Sequence, residues 1–380
     1  MKKSAMISLF LTLALIASSC SLPVNDTGYE YPSIEELIKS QQDFVNNRDE
    51  NGFLTTINRD NTVYWNESKY FAHNLTFANF SDFKMEIESM GESSEDEVIV
   101  TIRQSYLQNG NTNSTTYDNV YVRRDGTWYD NDLHFESVKL GGIKVLYMAG
   151  VSNLETLKEK VLISVENVEA TFPEKVEGDF EIKLYSDQEL LRQKTDLGIE
   201  WLFTGWAEEG HAIKAYTEHK NDYNYEVLFT HELIHKVTIA RANGNMPIWF
   251  AEGLATHYGS NFVSKGDYID QGKSTAQDLN TSLEELIAQN LQVLQSKQEI
   301  YAYYGTAAMY VKYLAETYGD EKVFELYQTL GMYPFNDIAS NPNWTKVCDD
   351  HMKETLKKVL GLEIEEISNG YLLWYEERYL

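Results

Sequence analysis

Apolar positions along the chain follow two different periods. Ile34, Leu37, Ile38, Phe44 and Val45 recur at the spacing of one helix face, and Ser33 with Glu36 three residues on forms a capping box that opens the helix. Behind it the period shortens to two. Thr62 to Trp65, Lys84 to Glu88, Glu97 to Ile102, Thr116 to Val122 and Trp128 to Phe135 read as strands, punctuated by turns at Asn109-Gly110-Asn111 and Arg124-Asp125-Gly126. A leading helix followed by a long antiparallel sheet predicts an α+β domain over residues 33–140.

Gly141-Gly142 marks the predicted boundary, with a second domain over residues 143–380. Asn153 caps a predicted helix to Phe172, with Leu154, Leu157, Val161, Val165 and Val168 at helical spacing. A strand from Phe180 to Tyr185 and a short helix from Asp187 to Lys194 follow. Ile199 to Ala207 and His211 to Thr217 then read as a hairpin across Glu208-Glu209-Gly210. A helix from about Asp222 to Ala242 takes Asn221 or Asp222 as its cap and closes at Asn243-Gly244-Asn245. Pro247 suits the first turn of another helix, to Tyr258. Gly259 to Gly272 is a polar loop, Ser282 with Glu285 caps a further helix, and the rest to Leu380 is helical, with Trp374 in the core.

The first of the paired helices carries His231, Glu232 and His235. Residues four apart share a helix face, so both imidazoles can address one ion, with Glu232 one residue round beside it. A catalytic zinc takes three protein ligands and keeps a fourth position open. The turn at Asn243-Gly244-Asn245 is short enough to fold the second helix back, which brings Glu252 opposite the histidines as the candidate third ligand. Gly253 next to it lets two backbones approach closely.

His231-Glu232-Leu233-Ile234-His235 followed by Pro247 to Ala255, with Glu252-Gly253-Leu254-Ala255 at its end, resembles the gluzincin metallopeptidases, in particular the peptidase MA-like group. The resemblance covers most of the chain after about Gly142. It implies one zinc on His231, His235 and Glu252, and hydrolysis of a peptide bond by water activated at the metal, with Glu232 as general base. Tyr303 to Gly319 resembles the family's tyrosine-bearing helix, which puts Tyr304 at the position that faces the site and can donate to the oxyanion. Thr204-Gly205-Trp206-Ala207 resembles the edge strand that holds an extended peptide by main-chain hydrogen bonds, so Gly205, Trp206 and Ala207 are candidate substrate contacts. His211 is either a polar contact there or simply solvated. Thr256 stands where thermolysin-like enzymes carry an orienting Asp, so Thr256, His257 or another group must orient the ligands. The element order of residues 33–140 is similar to that of the nuclear-transport-factor-like cone fold, which implies a spacer, a regulatory part or a ligand-binding part. The rival to an active peptidase is a surface-anchored binding lipoprotein whose peptidase-like domain is catalytically retired.

Residues 1–20 set the expected location. Lys2 and Lys3 precede an apolar stretch from Ala5 to Ala17 that is too short to span a bilayer, and Ala17-Ser18-Ser19-Cys20 ends it. This resembles a bacterial lipoprotein signal, which implies lipid on Cys20 and an extracytoplasmic chain held at the cell membrane by a tether over residues 21–32. Ordinary secretion with cleavage nearby is the other reading. Cys348 is the other cysteine, so no disulfide framework is expected. Without Lys2 and Lys3, 30 basic against 59 acidic side chains leave a charge of −29. Such a surface repels nucleic acid and anionic headgroups, which leaves a lipid anchor and not a basic patch to hold the chain at the membrane, while the peptide or protein substrate is what the family resemblance implies.

Overall fold

The computed structural model describes residues 30–176, 180–208, 210–219, 224–261, 273–294 and 296–380. The leader with Cys20, tether residues 21–29, the Asn221 or Asp222 cap, Glu209 and loop residues 262–272 lie outside the described residues.

Helix α1 (Ile34–Asn47) begins at the expected cap, where Ser33 Oγ accepts from the Glu36 amide at 3.2 Å. A short α2 (Glu50–Leu54) precedes α3 (Thr62–Leu75), which replaces the strand expected at Thr62 to Trp65. Asn61 Oδ1 caps α3 by accepting from the Tyr64 amide at 3.3 Å, and Glu67, Ser68, Tyr70, Ala72 and Leu75 are buried along one side. The β-branched and aromatic run is only a local preference, and the cap and packing override it.

Strands β1 (Ser81–Ser93), β2 (Glu97–Gln108), β3 (Asn111–Arg124) and β4 (Thr127–Leu133) form an antiparallel meander. Its expected hairpin turns carry left-handed pairs, Asn109 and Gly110 at φ 51° and 78°, and Asp125 and Gly126 at 49° and 88°. The second sheet begins sooner than the glycine pair. β5 (Glu136–Leu140) pairs with β6 (Ile143–Tyr147), so Gly141 and Gly142 turn a hairpin inside that sheet, and the changeover falls between Leu133 and Glu136.

The second sheet has the order β5-β6-β7-β9-β8, with β7 (Phe180–Tyr185), β8 (Gly205–Trp206) and β9 (Ile213–Tyr216). β6, β7 and β9 are parallel and are linked through α4 (Leu154–Thr171) and α5 (Gln188–Gln193). β8 closes the edge antiparallel to β9, with Gly205 opposite Ala215. The first arm of this hairpin is shorter than expected. Ile199 and Phe203 leave the ladder because they are buried with Tyr185, Leu190 and Leu191 in a core shared with Val100, Ile102 and Tyr117 of the first sheet. Gln104 Nε2 donates to Gln193 Oε1 at 2.8 Å and Gln108 Nε2 to the Leu197 carbonyl at 3.0 Å, so α5 and its following loop fill the inner face of the meander.

The remainder is helical: α6 (Tyr225–Arg241), α7 (Ile248–Asn261), α8 (Leu283–Ala288), α9 (Lys297–Tyr318), α10 (Asp320–Leu330), α11 (Trp344–Leu360) and α12 (Ile364–Tyr379). One apolar core runs from β6 and β7 through α12 and includes Trp374, while Cys348 is fully buried. Among the described residues no helix is long and apolar enough to cross a membrane.

Candidate metal centre and its cleft

Two short-range devices shape the centre. Asn224 Oδ1 caps α6 by accepting from the Val227 amide, and Asn243 with Gly244, both left-handed, ends that helix and reverses the chain. The Phe250 and Ala251 amides then bond to the Pro247 carbonyl, so the proline opens α7. α7 folds back along α6 and sets Glu252 across from the two histidines. Gly253 serves a different approach from the one expected. A Cβ there would sit 2.6 Å from the Ala307 carbonyl oxygen, so it is α9 that closes on α7 at this point.

His231 Nε2 and His235 Nε2 lie 3.1 Å apart, and each lies 3.3 Å from Glu252 Oε2. Neighbouring ligands on tetrahedral zinc, each about 2.0 to 2.1 Å from the ion, stand roughly 3.3 Å apart, so the triangle has the size such an ion requires. Burial opposes ionisation of Glu252, yet His235 and His231 hold its carboxyl down at about 2. Glu232 is buried one residue round, and burial, with the charge of Glu252, pushes its carboxyl up to about 8 against the pull of His231. Glu232 Oε2 and His235 Nδ1 are buried and have no hydrogen-bond partner among the described residues. The three converging donor atoms fit a metal, with the Glu232 carboxyl as its neighbour.

The other expected residues fall around this triangle. The Tyr304 ring lies 6.3 Å from the His231 ring and faces the cleft, whereas Tyr303 is buried in the core. Gly205, Trp206 and Ala207 line the same cleft from the sheet edge. The space at Gly205 is taken by the Glu232 carboxyl and Leu228, so any larger residue there would displace the acid. His211 is not solvated. It is buried, packs edge-on against the Tyr70 ring at 5.9 Å, and has Nδ1 3.5 Å from Glu208 Oε2, while burial pushes its imidazole down to about 3. His257 packs edge-on against Tyr258, and burial pushes its imidazole down to about 4.

The cleft has a volume of about 470 Å³. Part of its wall was not expected from sequence: Asn66, Lys69 and Tyr70 of α3 line it, as do Phe335 and Trp344 from the loop before α11 and its first turn. The signal for α3 was the cap at Asn61, outweighed by the strand-like run after it.

No protein-family profile matches the sequence, and no curated protein matches it. Among solved structures it is similar to a point mutant of an M1 zinc metallopeptidase from Deinococcus radiodurans, at 15% identity and TM-score 0.33, covering 78% of this chain and 62% of that one. The same mutant bound to a Tyr-Ser-Ala substrate matches at 13% identity over the same shares, again with TM-score 0.33. A two-domain M1 zinc metallopeptidase mutant bound to L-arginine matches at 11% identity and TM-score 0.35, covering 76% and 61%. The chain thus spans about three-fifths of the length of these structures. Likeness at this level transfers neither fold nor chemistry, and the functional reading rests on the geometry of the centre.

Proposed function

We propose that this chain is a zinc-dependent peptidase acting on an extracytoplasmic peptide or protein. The observation that carries the reading is the triangle of His231, His235 and Glu252 ligand atoms, with a buried Glu232 carboxyl oxygen beside it that has no hydrogen-bond partner among the described residues. Zinc held there would act as a Lewis acid and lower the pKa of water toward about 7. Glu232 is placed to take a proton from the attacking water and pass it to the leaving amine. The Tyr304 hydroxyl, on the cleft side of α9, is the donor for the developing oxyanion. The edge of β8, at the margin of its sheet, offers main-chain groups to an extended peptide lying past Gly205, Trp206 and Ala207. In this reading the chain is held at a bacterial membrane by lipid on Cys20.

The test is Glu232→Gln, which keeps the shape of the side chain and removes the base. Zinc content should stay at one per chain while turnover of a mixed peptide substrate falls at least about a hundredfold, the lower range for general acid-base catalysis. Near wild-type cleavage by the variant would sink the mechanism. A zinc-loaded wild type that cleaves nothing would leave the retired binding lipoprotein standing.

A further inference from the structure

Building on the peptidase reading, we infer that α3 is the end wall of the catalytic cleft and restricts cleavage to peptides that lodge a free chain end against it. Asn66, Lys69 and Tyr70 of α3 line the same cleft as the three ligands. Their helix is tied to both sides of it. Asn66 Nδ2 donates to the Gly210 carbonyl at 3.2 Å, on the turn that follows the β8 edge. Gln292 Nε2, on the helical side, donates to the Tyr70 hydroxyl at 3.1 Å. Between these two ties the buried Tyr70 ring packs 6.0 Å from Trp206 and 5.9 Å from His211. A peptide extended along β8 therefore meets an aromatic ring at a point where the walls are joined.

The wall is fixed in place from behind. Glu67, one residue from Asn66, is buried with Oε2 2.8 Å from Lys183 Nζ and 3.5 Å from Lys214 Nζ, and its Oε1 accepts from the Ala212 amide at 3.1 Å. Swinging α3 aside would separate those buried charges, which is strongly unfavourable. The cleft volume is also that of a small-ligand site, large enough for a short stretch of peptide and too small to thread a folded chain. A wall that cannot swing and a cleft that ends on it leave an internal bond of a long chain no route to the metal unless an end is near.

The experiment compares a linear peptide with the same peptide closed head to tail, which has no chain end, using the full zinc-loaded protein. Wild type should shorten the linear peptide from one terminus and open the ring at least about a hundredfold more slowly. The variant Tyr70→Ala, which removes the ring at the end of the cleft and leaves Glu67 and its lysines in place, should raise the ring-to-linear ratio at least about tenfold. Binding gives a second readout: in the Glu232→Gln background the linear peptide should bind at least about tenfold more tightly than the ring, and adding Tyr70→Ala should narrow that gap. Equal cleavage of ring and linear peptide by wild type, or internal cuts throughout the linear one, overturns the end wall alone. Failure to cut either peptide overturns the peptidase reading and the end wall with it.

Discussion

Two groups of buried ionisable side chains meet the β8–β9 hairpin, one through Lys214 of β9 and one through Glu232 against Gly205 of β8, and they differ in how their atoms are matched. In the first, Lys183 Nζ sits 2.8 Å from Glu67 Oε2 and 2.6 Å from Asp132 Oδ2, with Lys214 3.5 Å from the same Glu67 oxygen. Opposite charges alternate there. In the second, His231, His235 and Glu252 converge on one another, and Glu232 Oε2 and His235 Nδ1 are left unmatched among the described residues. Each group holds carboxyls displaced from their ordinary range, Glu67 and Asp132 in the first and Glu252 and Glu232 in the second, so perturbation alone does not separate them. The difference lies in completeness: a matched cluster fastens two parts of a fold, whereas convergent, unmatched acceptors call for a cation.

The largest expected effect breaks the second group. His231→Ala or Glu252→Ala should abolish stoichiometric zinc binding, read by elemental analysis of purified protein, and full retention in Glu252→Ala would take that residue off the metal. Next comes the first group. Lys183→Met removes the central cation, leaves Glu67 and Asp132 facing each other, and should cost about 3 to 5 kcal/mol in denaturant unfolding. Zinc content of the folded variant should be unchanged, and a cost below about 1 kcal/mol would place the pair in the weak class of solvent-exposed bridges.

The smallest effect concerns acid. Burial disfavours the Glu67 charge, but Lys183 and Lys214 prevail and hold its carboxyl at about 2, below the ordinary 4.5. A carboxyl depressed by folding adds stability that is fully present above pH 4.5 and fades as the pH falls toward 2. The stability gap between wild type and Glu67→Gln should therefore narrow across that window. The effect is small because burial pushes the Asp132 carboxyl upward, in spite of Lys183, and this works in the opposite direction. A gap that stays constant from neutral pH down to the acid limit would show that Glu67 titrates like a free side chain.

The two groups also differ in how far sequence could reveal them. His231, Glu232 and His235 lie within one helical turn and a half, and Glu252 follows one tight turn later, so helix geometry alone brings the triangle together. Glu67, Asp132, Lys183 and Lys214 are spread over α3 and both sheets, and nothing local to any of them announces the others. The same holds for the cleft. Tyr304 and the Gly205 edge belong to a pattern that is readable along the chain, but Asn66 and Tyr70 reach the site only through the docking of α3. That helix was masked by a strand-like run at Thr62 to Trp65, where the deciding feature was the single side-chain cap at Asn61. The meander was legible because its turns need left-handed residues and Asn-Gly and Asp-Gly supply them. The place where one sheet gives way to the next was not, because a glycine pair serves a hairpin as well as a linker.

The filling of the meander by α5 bears on how the chain is made. The four strands are complete at Leu133, while α5 begins only at Gln188. During synthesis the inner face that carries Val100, Ile102 and Tyr117 has only Tyr31 and the α1 residues Ile34, Leu37 and Ile38 to share its core until the later segment emerges, a period in which exposed apolar strands favour association between nascent chains. A fragment ending at the Gly141-Gly142 hairpin would lack the α5 side of that core permanently, and one starting there would carry Leu190 and Leu191 without the strands that share their core. Residues before and after the glycine hairpin thus share one core, and a cut there would expose apolar side chains on both pieces.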